Sequence, residues 1–359
     1  MKVHCGNSPS TRAYRKLIAG VYKNNPCHRD SLTDVYNIVT SSKGAFGSRC
    51  HHSAITVTDE NDEVLAFCLL IHAKHLADTL QISFFEAQPH CAVAVKKLVD
   101  AAQQIAIEKG VKRIIAGMNG HVNYGLGFLT DSFDKVPCFG SAFNPPYYAP
   151  YFLLSGFKKF NLVSYQYEID NISMVREEPI LRRLEKRFTF RKTDFSKLKE
   201  EISLYTELNN LCFKGHPLYF PRLAEEDYEL FHPFRWFLNE DNLLIAEHNG
   251  QPIAFILWYP DYNELIGPGE KLGIKALLRY RVFRQQVTRL KIAEIGVVPE
   301  YQGSGVLLGL FHHCFRLARD KFSTCETGWI FDSNDKSKNI CQRWQPTPSK
   351  NYAVFSMDV

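Results

Sequence analysis

The chain has 359 residues, 45% of them hydrophobic and 23% charged, which is the balance of a globular protein and not of a disordered or fibrous one. A formal net charge of +5 is too small for this length to argue for nucleic acid and suits a small anionic ligand equally well. No apolar run approaches the roughly 20 residues that span a bilayer, and MKVHCGNSPS lacks the apolar core of a signal peptide, so a cytoplasmic protein with no membrane partner is expected. The length exceeds what one hydrophobic core usually serves, so two domains are expected. Ten cysteines without C-x-x-C spacing read as buried thiols, and Cys50-His51-His52 with His72 and His75 matches no zinc signature, so no metal is expected.

In chain order, STRAYRKLIAGVYKN opens the chain with helix-like sequence. DENDEVLAFCLLIHAKH is a polar turn leading into an apolar strand, and LQISFFEA is a further strand. In AVAVKKLVDAAQQIAIEKG, Val93, Val95, Leu98, Ala101, Ala102 and Ile105 recur at three-to-four spacing, which predicts a long helix stopped by Gly110. VKRIIAGMN follows as a strand, YAPYFLLSGF as a short helix ended by Gly156, and SYQYEID as the strand that closes the half. NISMVREEPILRRLEKRF joins the halves.

The plan then repeats. FSKLKEEISLYTELNNLCF reads as a helix, EHNGQPIAFILWYPDYN as turn and strand, and KIAEIGVV as a strand. VLLGLFHHCFRLARDKF, CETGWIFDS, DKSKNICQRW and NYAVFSMDV continue as helix, strand, helix and closing strand. Ala66-Phe67-Cys68-Leu69 and Ala254-Phe255-Ile256-Leu257 lie 188 positions apart (254 − 66), close to half the chain. Two α/β domains of similar plan are therefore predicted, at 1–170 and 171–359.

One segment has no counterpart in the first half. KLGIKALLRYRVFRQQVTRLK, residues 271–291, holds seven basic residues (Lys271, Lys275, Arg279, Arg281, Arg284, Arg289, Lys291) and no acidic one. Ile274, Leu277, Leu278 and Val282 predict an apolar helix face. The segment is either a lid that attracts phosphates or an acidic substrate, or a solvated helix that covers the sheet. Tyr147, Tyr148, Tyr219 and Phe220 are candidates for the walls of a cleft, or plain inter-domain core.

Between strand KIAEIGVV and the helix after it stands VVPEYQGSGV, residues 297–306. Gly303 and Gly305 remove the β-carbons that would block a ligand, and a helix starting at Val306 offers unpaired N–H groups and the positive end of its dipole. The segment is no P-loop, because Gly-Val-Leu stands where Gly-Lys-Ser/Thr is needed. It is no dinucleotide fingerprint, because Leu308 holds the third glycine position. It is no nucleophile elbow, because Ser304 is flanked directly by both glycines.

V-x-P-E-Y-Q-G-x-G resembles the acyl-CoA-binding motif of the GNAT superfamily of N-acyltransferases. Val297, Pro299, Glu300, Tyr301, Gln302, Gly303 and Gly305 match its common form, and Leu307 departs from Q/R-x-x-G-x-G/A at the last position. Over most of its length the chain is similar to bacterial proteins with two GNAT-like domains in tandem. GMNGHVNYGLGFLTDSFD and NPPYYAPYFLLSGF are the stretches most like them. The resemblance implies an α/β (α+β) fold of two tandem GNAT-like domains, each a mixed, mostly antiparallel sheet flanked by helices.

It further implies acetyl-CoA or another acyl-CoA as co-substrate, held at Val297, Val298, Gln302, Gly303, Ser304, Gly305 and Val306. Asn334 stands at the start of the following helix, either as a further contact or as a cap alone. Only the second half is expected to bind CoA. The first half reads FFEAQPHCAVAV there, with no glycine and an acidic Glu86 that would repel phosphate, and is taken as a degenerate copy that shapes the substrate cleft.

The implied reaction is transfer of the acyl group, acetyl in the first instance, to the amine of a small molecule or peptide. A backbone N–H near Val298 would polarise the thioester carbonyl, and a carboxylate would take the amine's proton. Glu294 is the only acidic residue in KIAEIGVV, and alternation leaves two roles open for it: that base, or a surface partner of Lys291. The tyrosine that many members carry after the Asn is replaced by Cys341, either a thiol acid or a buried core cysteine. These departures keep open a binding or interaction protein without turnover. Aminoacyl transfer from charged tRNA is a further alternative, against which the CoA loop and the modest charge argue. A homodimer is compatible with all of them.

Overall fold

The computed structural model describes residues 1–174, 177–283 and 285–359. Val175 and Arg176 of the joining segment and Arg284 of the basic run lie outside the described residues. The first half supplies strands β1 (Lys2–Gly6), β2 (Cys50–Thr58), β3 (Val64–Ala73), β4 (Thr79–Ala87), β5 (Arg113–Ala116), β6 (Phe128–Leu129), β7 (Lys158–Ser164) and β8 (Gln166–Glu168). Its helices are α1 (Thr11–Val21), α2 (Thr33–Thr40), α3 (Ala92–Glu108) and α4 (Tyr148–Leu154). The second half supplies β9 (Thr189–Lys192), β10 (Leu243–His248), β11 (Gln251–Pro260), β12 (Arg289–Val297), β13 (Thr324–Thr327), β14 (Ile330–Phe331) and β15 (Lys350–Asp358). Its helices are α5 (Glu178–Arg187), α6 (Leu198–Cys212), α7 (Ala224–Phe231), α8 (Ile274–Arg281), α9 (Val306–Ala318) and α10 (Asp335–Cys341).

Two mixed sheets result, in the orders β1-β2-β3-β4-β5-β15-β7-β14 and β8-β13-β12-β11-β10-β9, with β6 pairing β15 off the first path. The expected mixed, mostly antiparallel plan holds: only β4–β5 and β12–β13 run parallel among the described strands. The closing strands are where the structure departs from the sequence reading. NYAVFSMDV does not close the second sheet; as β15 it lies inside the first, paired to β5 on one edge and to β7 on the other. SYQYEID in turn splits, Ser164 ending β7 in the first sheet while β8 pairs with β13 in the second. The sheets therefore do not follow a cut at residue 170. Local alternation identifies a strand but is silent about its partner.

The parallel pairs hold the second common feature. β12 and β13 are in register only from Arg289/Thr324 to Ile292/Thr327, and β4 and β5 only from Thr79/Arg113 to Ile82/Ala116. Beyond those points each pair of strands parts, leaving a wedge. Glu86 pairs with Phe67 and Gly296 with Phe255, so the two halves place Glu and Gly at equivalent positions beside the echo noted in the sequence.

In the first half this wedge is filled by its own side chains. Gln81 spans it, donating to the Gly120 carbonyl at 3.1 Å and accepting from the Gly120 amide at 2.9 Å. Ser83 Oγ donates to the Met118 carbonyl at 2.6 Å, and the Phe84 amide donates to Asn119 Oδ1 at 2.8 Å. The loop into α3 is closed as well. The Ala87 amide donates to Tyr148 Oη and the Cys91 amide to Tyr151 Oη, both at 2.9 Å. Tyr147 and Tyr148 are thus not cleft walls: Tyr147 Oη donates to the Ala87 carbonyl at 3.0 Å, while Tyr148 and Tyr151 occupy the Ala87 and Cys91 amides.

Glu86 does not act as expected either. It is buried, accepts from Tyr148 Oη at 2.7 Å, and burial pushes its carboxyl up to about 8. At neutral pH the group is largely protonated, so it is not the repelling charge the sequence suggested.

Two outcomes follow for stability. Phe355→Ala on β15, which is 0% exposed, is expected to cost about 3–5 kcal/mol in chemical denaturation. Hydrogen exchange should then rise in β5 and β7, more than 150 residues away along the chain. The Glu86 carboxyl is raised from 4.5 to about 8, so the folded state keeps a proton that the unfolded chain has released across that window. Its stabilising effect is complete below pH 4.5 and is lost as pH rises toward 8. Glu86→Gln should remove that slope, so its denaturation midpoint gains on the unaltered protein between those pH values and levels off above.

Candidate functional site

In the second half the same junction is open. Gly303 and Gly305 have φ of 80° and 86°, left-handed values that an L side chain adopts only under strain. A β-carbon at Gly303 would meet nothing within 4 Å, so that face of the loop is open; one at Gly305 would come 3.1 Å from Leu184 of α5. The amides of Gly303, Gly305 and Leu307 have no backbone partner among the described residues. The Val306 amide has only a 3.4 Å contact to Ser304 Oγ, and Gln302 Nε2 reaches back to the Val297 carbonyl at 3.5 Å. Leu307, the departure from the motif, is half-buried against the core. Gly309 is needed one turn on, where a β-carbon would lie 2.2 Å from the Phe190 ring.

The Val298 amide is not the oxyanion donor the sequence suggested. It donates to the Ile253 carbonyl at 2.9 Å. Because ladder bonds alternate along an antiparallel strand, this fixes the others: Gly296 faces β11, while the amides of Val297 and Ile295 point away from it toward the wedge. The donors for a carbonyl in the wedge are therefore Ile295 and Val297.

A bulge settles the face of Glu294. Leu257 pairs with Glu294 and Trp258 with Ile292, so Ala293 has no partner on β11 and the alternation shifts by one. Glu294 then points to α6, on the same face as Lys291, and it is not that lysine's partner. Lys291 Nζ donates to Ser141 Oγ at 2.9 Å and to the Phe139 carbonyl at 3.2 Å, both in the first half. Glu294 Oε2 accepts from Tyr205 Oη at 2.5 Å and from Asn209 Nδ2 at 3.0 Å. Tyr205 and Asn209 are four apart on α6 and so share one face. Burial, with Glu294 alongside, pushes the Tyr205 hydroxyl well above its ordinary range, so it stays a donor. Asn209 is 1% exposed and its Oδ1 is left without a partner.

Sequence reasoning missed Tyr205 and Asn209. Their signal was the i, i+4 pair of polar residues on the face of α6 that also carries Ile202 and Leu208. It did not place His216. This ring lies 5.8 Å from Trp329 and 5.1 Å from Phe331, just past the parting of β12 and β13. Its buried Nε2 has no partner, and burial lowers its pKa to about 4, so it is neutral. Tyr219 and Phe220 pack on His121 of the first half, with ring centroids 5.0 and 4.6 Å away.

The remaining expected residues fall elsewhere. Asn334 is the N-cap of α10, its Oδ1 accepting from the Ser337 amide at 3.2 Å. Cys341 is buried on α10 beside Tyr167, and burial pushes its thiol up, which disfavours it as an acid. The basic run sits at the wrong end for a phosphate lid. It leads into Arg289 at the start of β12, while the glycine loop follows Val297 at the end, about 26 Å along the strand. Its arginines are tied down: Arg279 donates to the Leu265 carbonyl at 2.5 Å, and Arg281 to those of Trp236 and Leu238 at 3.0 and 3.2 Å. Of the predicted apolar face only Leu277 packs inward, against a small core with Tyr262 and Leu265, while Ile274 is 77% exposed and Leu278 and Val282 are exposed with it.

Residues 204–344 match the sequence profile of the Acetyltransferase (GNAT) family. "Protein YghO" of Escherichia coli (strain K12) is 25% identical over 276 residues, covering 73% of this chain and 70% of that one. Among solved structures, a tandem GNAT protein from the clavulanic acid biosynthesis pathway covers 99% of this chain and 98% of its own, at 10% identity and a TM-score of 0.54. The GCN5-related glucosamine N-acetyltransferase region of a fungal multi-domain GH3 β-N-acetylglucosaminidase gives a TM-score of 0.58 at 13% identity. That match covers 99% of this chain but only 38% of the longer fungal one. The second half of the chain therefore carries a GNAT acetyltransferase domain, and the two sheets give the chain the fold of a tandem GNAT protein.

Proposed function

We propose that the second half binds acyl-CoA, acetyl-CoA in the first instance, and transfers the acyl group to a primary amine. The observation that carries this is the contrast between two equivalent junctions: the second has two glycines at positive φ and amides at Gly303, Gly305 and Leu307 with no backbone partner, while in the first, which has no glycine, tyrosines take the Ala87 and Cys91 amides. The diphosphate sits on those freed amides and on the positive end of α9, with Gln302, Ser304 and Val306 lining the loop. The pantetheine arm enters the wedge, where the Ile295 and Val297 amides face the thioester carbonyl.

The amine approaches from the α6 side. Both fixed donors to Glu294 land on Oε2, which leaves Oε1 to take the amine's proton through water. The neutral amine attacks the thioester carbon, the C–S bond breaks, and the electron pair leaves on sulfur. We take residues 1–170 as the half without CoA, which shapes the acceptor side, and residues 171–359 as the half that binds CoA. The acceptor is a small molecule or peptide amine, not nucleic acid or lipid, and the setting is the cytoplasm. No helix among the described residues is long and apolar enough to cross a membrane, which supports this setting. The structure leaves open a homodimer.

A second reading, a CoA-binding protein without turnover, is favoured by the burial of Cys341 where many members carry their acid. Calorimetry with acetyl-CoA tests the shared part: binding to the unaltered protein is expected, with affinity at least tenfold weaker in Gly303→Asp. Equal affinity in the two proteins overturns the site. Thiol release in the presence of a panel of primary amines separates enzyme from binder. Glu294→Gln is expected to lower kcat about 100-fold with CoA affinity unchanged, and full activity in that variant removes its role as base.

A further inference from the structure

The basic run at 271–291 has no part in the acyl-transfer site, yet it shapes the surface at the far end of β12 from the glycine loop. Within it α8 is firmly anchored. Ala276 is 1% exposed and, with Leu277 and Tyr280, packs on a small core of Phe237, Tyr262, Leu265 and Leu272. A helix held this way ordinarily turns polar residues to water. This one does not. At about 100° per residue, Ile274, Leu278 and Val282 fall on one outward stripe, with Lys275 and Arg281 at its margins. Past the helix end Phe283 is 75% exposed. Trp236, 60% exposed, is tied to the same surface, its carbonyl accepting from Arg281 Nε at 3.0 Å. Five large apolar side chains are thus left in water on one part of the surface.

The charge of the rim decides what covers them. Lys271 lies 2.6 Å from Asp34, and Arg279 lies 3.7 Å from Glu270, which is also near Lys275. Arg281 gives its guanidinium to the Trp236 and Leu238 carbonyls, which leave its charge unanswered. Arg235 lies over the Trp236 ring, 4.8 Å from its centroid, and donates to His232. Lys275 is exposed beside the stripe. Cations outnumber acids around an apolar centre. Such a face fits a surface that is anionic at its boundary and apolar beneath it, the profile of a leaflet with acidic headgroups. A second copy of the chain meeting through the same face would set these cations against each other.

We propose that α8, with Phe283 and Trp236, docks the protein on an anionic membrane surface, the apolar stripe seated at the acyl-chain boundary and the basic rim among the phosphates. Docking holds the chain at one end of β12 and leaves the glycine loop at the other end open. The expectation of no membrane partner rests on the lack of a spanning segment, a criterion that does not apply to a helix lying in the interface. The lipid is the support and not the acceptor, and the assignment stands apart from the acyl-CoA reading.

The test is co-sedimentation of the full chain with vesicles of phosphatidylcholine carrying about 30% phosphatidylglycerol, beside vesicles of phosphatidylcholine alone. Binding to the anionic vesicles is expected, about tenfold or more tighter than to the neutral ones, and weakening about tenfold as salt rises from about 0.1 to about 0.5 M. The combined variant Ile274→Ser, Leu278→Ser and Phe283→Ser alters only exposed side chains, so its thermal midpoint should hold while vesicle binding falls about tenfold. Lys275→Glu gives a second reading and should weaken anionic binding about fivefold. The control Val93→Ser, Ile107→Ser and Leu154→Ser removes equally exposed apolar side chains from α3 and α4 and should bind as the unaltered protein does. No binding to anionic vesicles, equal binding to both kinds, unchanged binding in the α8 variants or an equal loss in the control overturns the assignment. So does a dimer in sedimentation equilibrium that the combined α8 variant abolishes, since the face then belongs to a second copy. Acetyl-CoA calorimetry should be the same in the combined variant, so failure of the membrane assignment leaves the CoA site untouched.

Discussion

Strand β15 is held on both edges inside a sheet whose other strands lie at the opposite end of the chain. Phe355 to Asp358 pair with β5, and Lys350 to Ser356 pair with β7. The first sheet cannot close without it: Val354 and Phe355 are buried in the cores on its two faces. The crossing that β15 requires also sets the rest. With β15 beside β5, the chain leaving β7 must pair elsewhere, and β8 takes the free edge of β13. The two halves are therefore one folding problem, a non-local topology of the kind that orders late and slowly.

The halves share a backbone plan and differ in what fills it. In each, a parallel pair parts after four registered residues. In the first, Gln81, Ser83 and Asn119 bridge the gap and tyrosines of α4 take the amides. In the second, Gly296 permits the close approach of Phe255 and Cys212, and the wedge carries no such bridges among the described residues. Equivalent backbone thus becomes core in one place and an open junction in the other. The deciding term is whether the buried polar groups are satisfied from within, since unpaired ones exact a cost that a ligand offsets.

The parts of this arrangement that were legible in the sequence are those with local causes. Gly303 and Gly305 announce themselves because positive φ demands them, and the helices announce themselves by period. What stayed hidden depends on pairing. The face of Glu294 was open because one unpaired residue, Ala293, resets the alternation, and no pattern in KIAEIGVV marks a bulge. Glu86 looked like a repelling charge because its burial in the folded core, which neutralises it, is not written in the local sequence. Residues 271–291 looked like a lid because a charge run carries no position; the fold puts it at the other end of β12 from the glycine loop.

The seam between the halves ties the second half to the first. Phe139 donates its amide to Asp261 Oδ1 at 2.7 Å, and the Pro137 carbonyl accepts from Asn263 at 2.9 Å. Lys291 on the floor of the second sheet is solvated by Ser141 and the Phe139 carbonyl, not by water. Lys350 of β15 pairs with Glu326 of β13 at 2.6 Å, both buried. A second half cut free would expose Lys291 without its partners and would lose β8, the strand that completes its sheet beside β13. Removing one partner from such buried pairs is far more costly than the pair's net contribution. The second half thus depends on the first for partners of its own buried groups, whatever the first half binds.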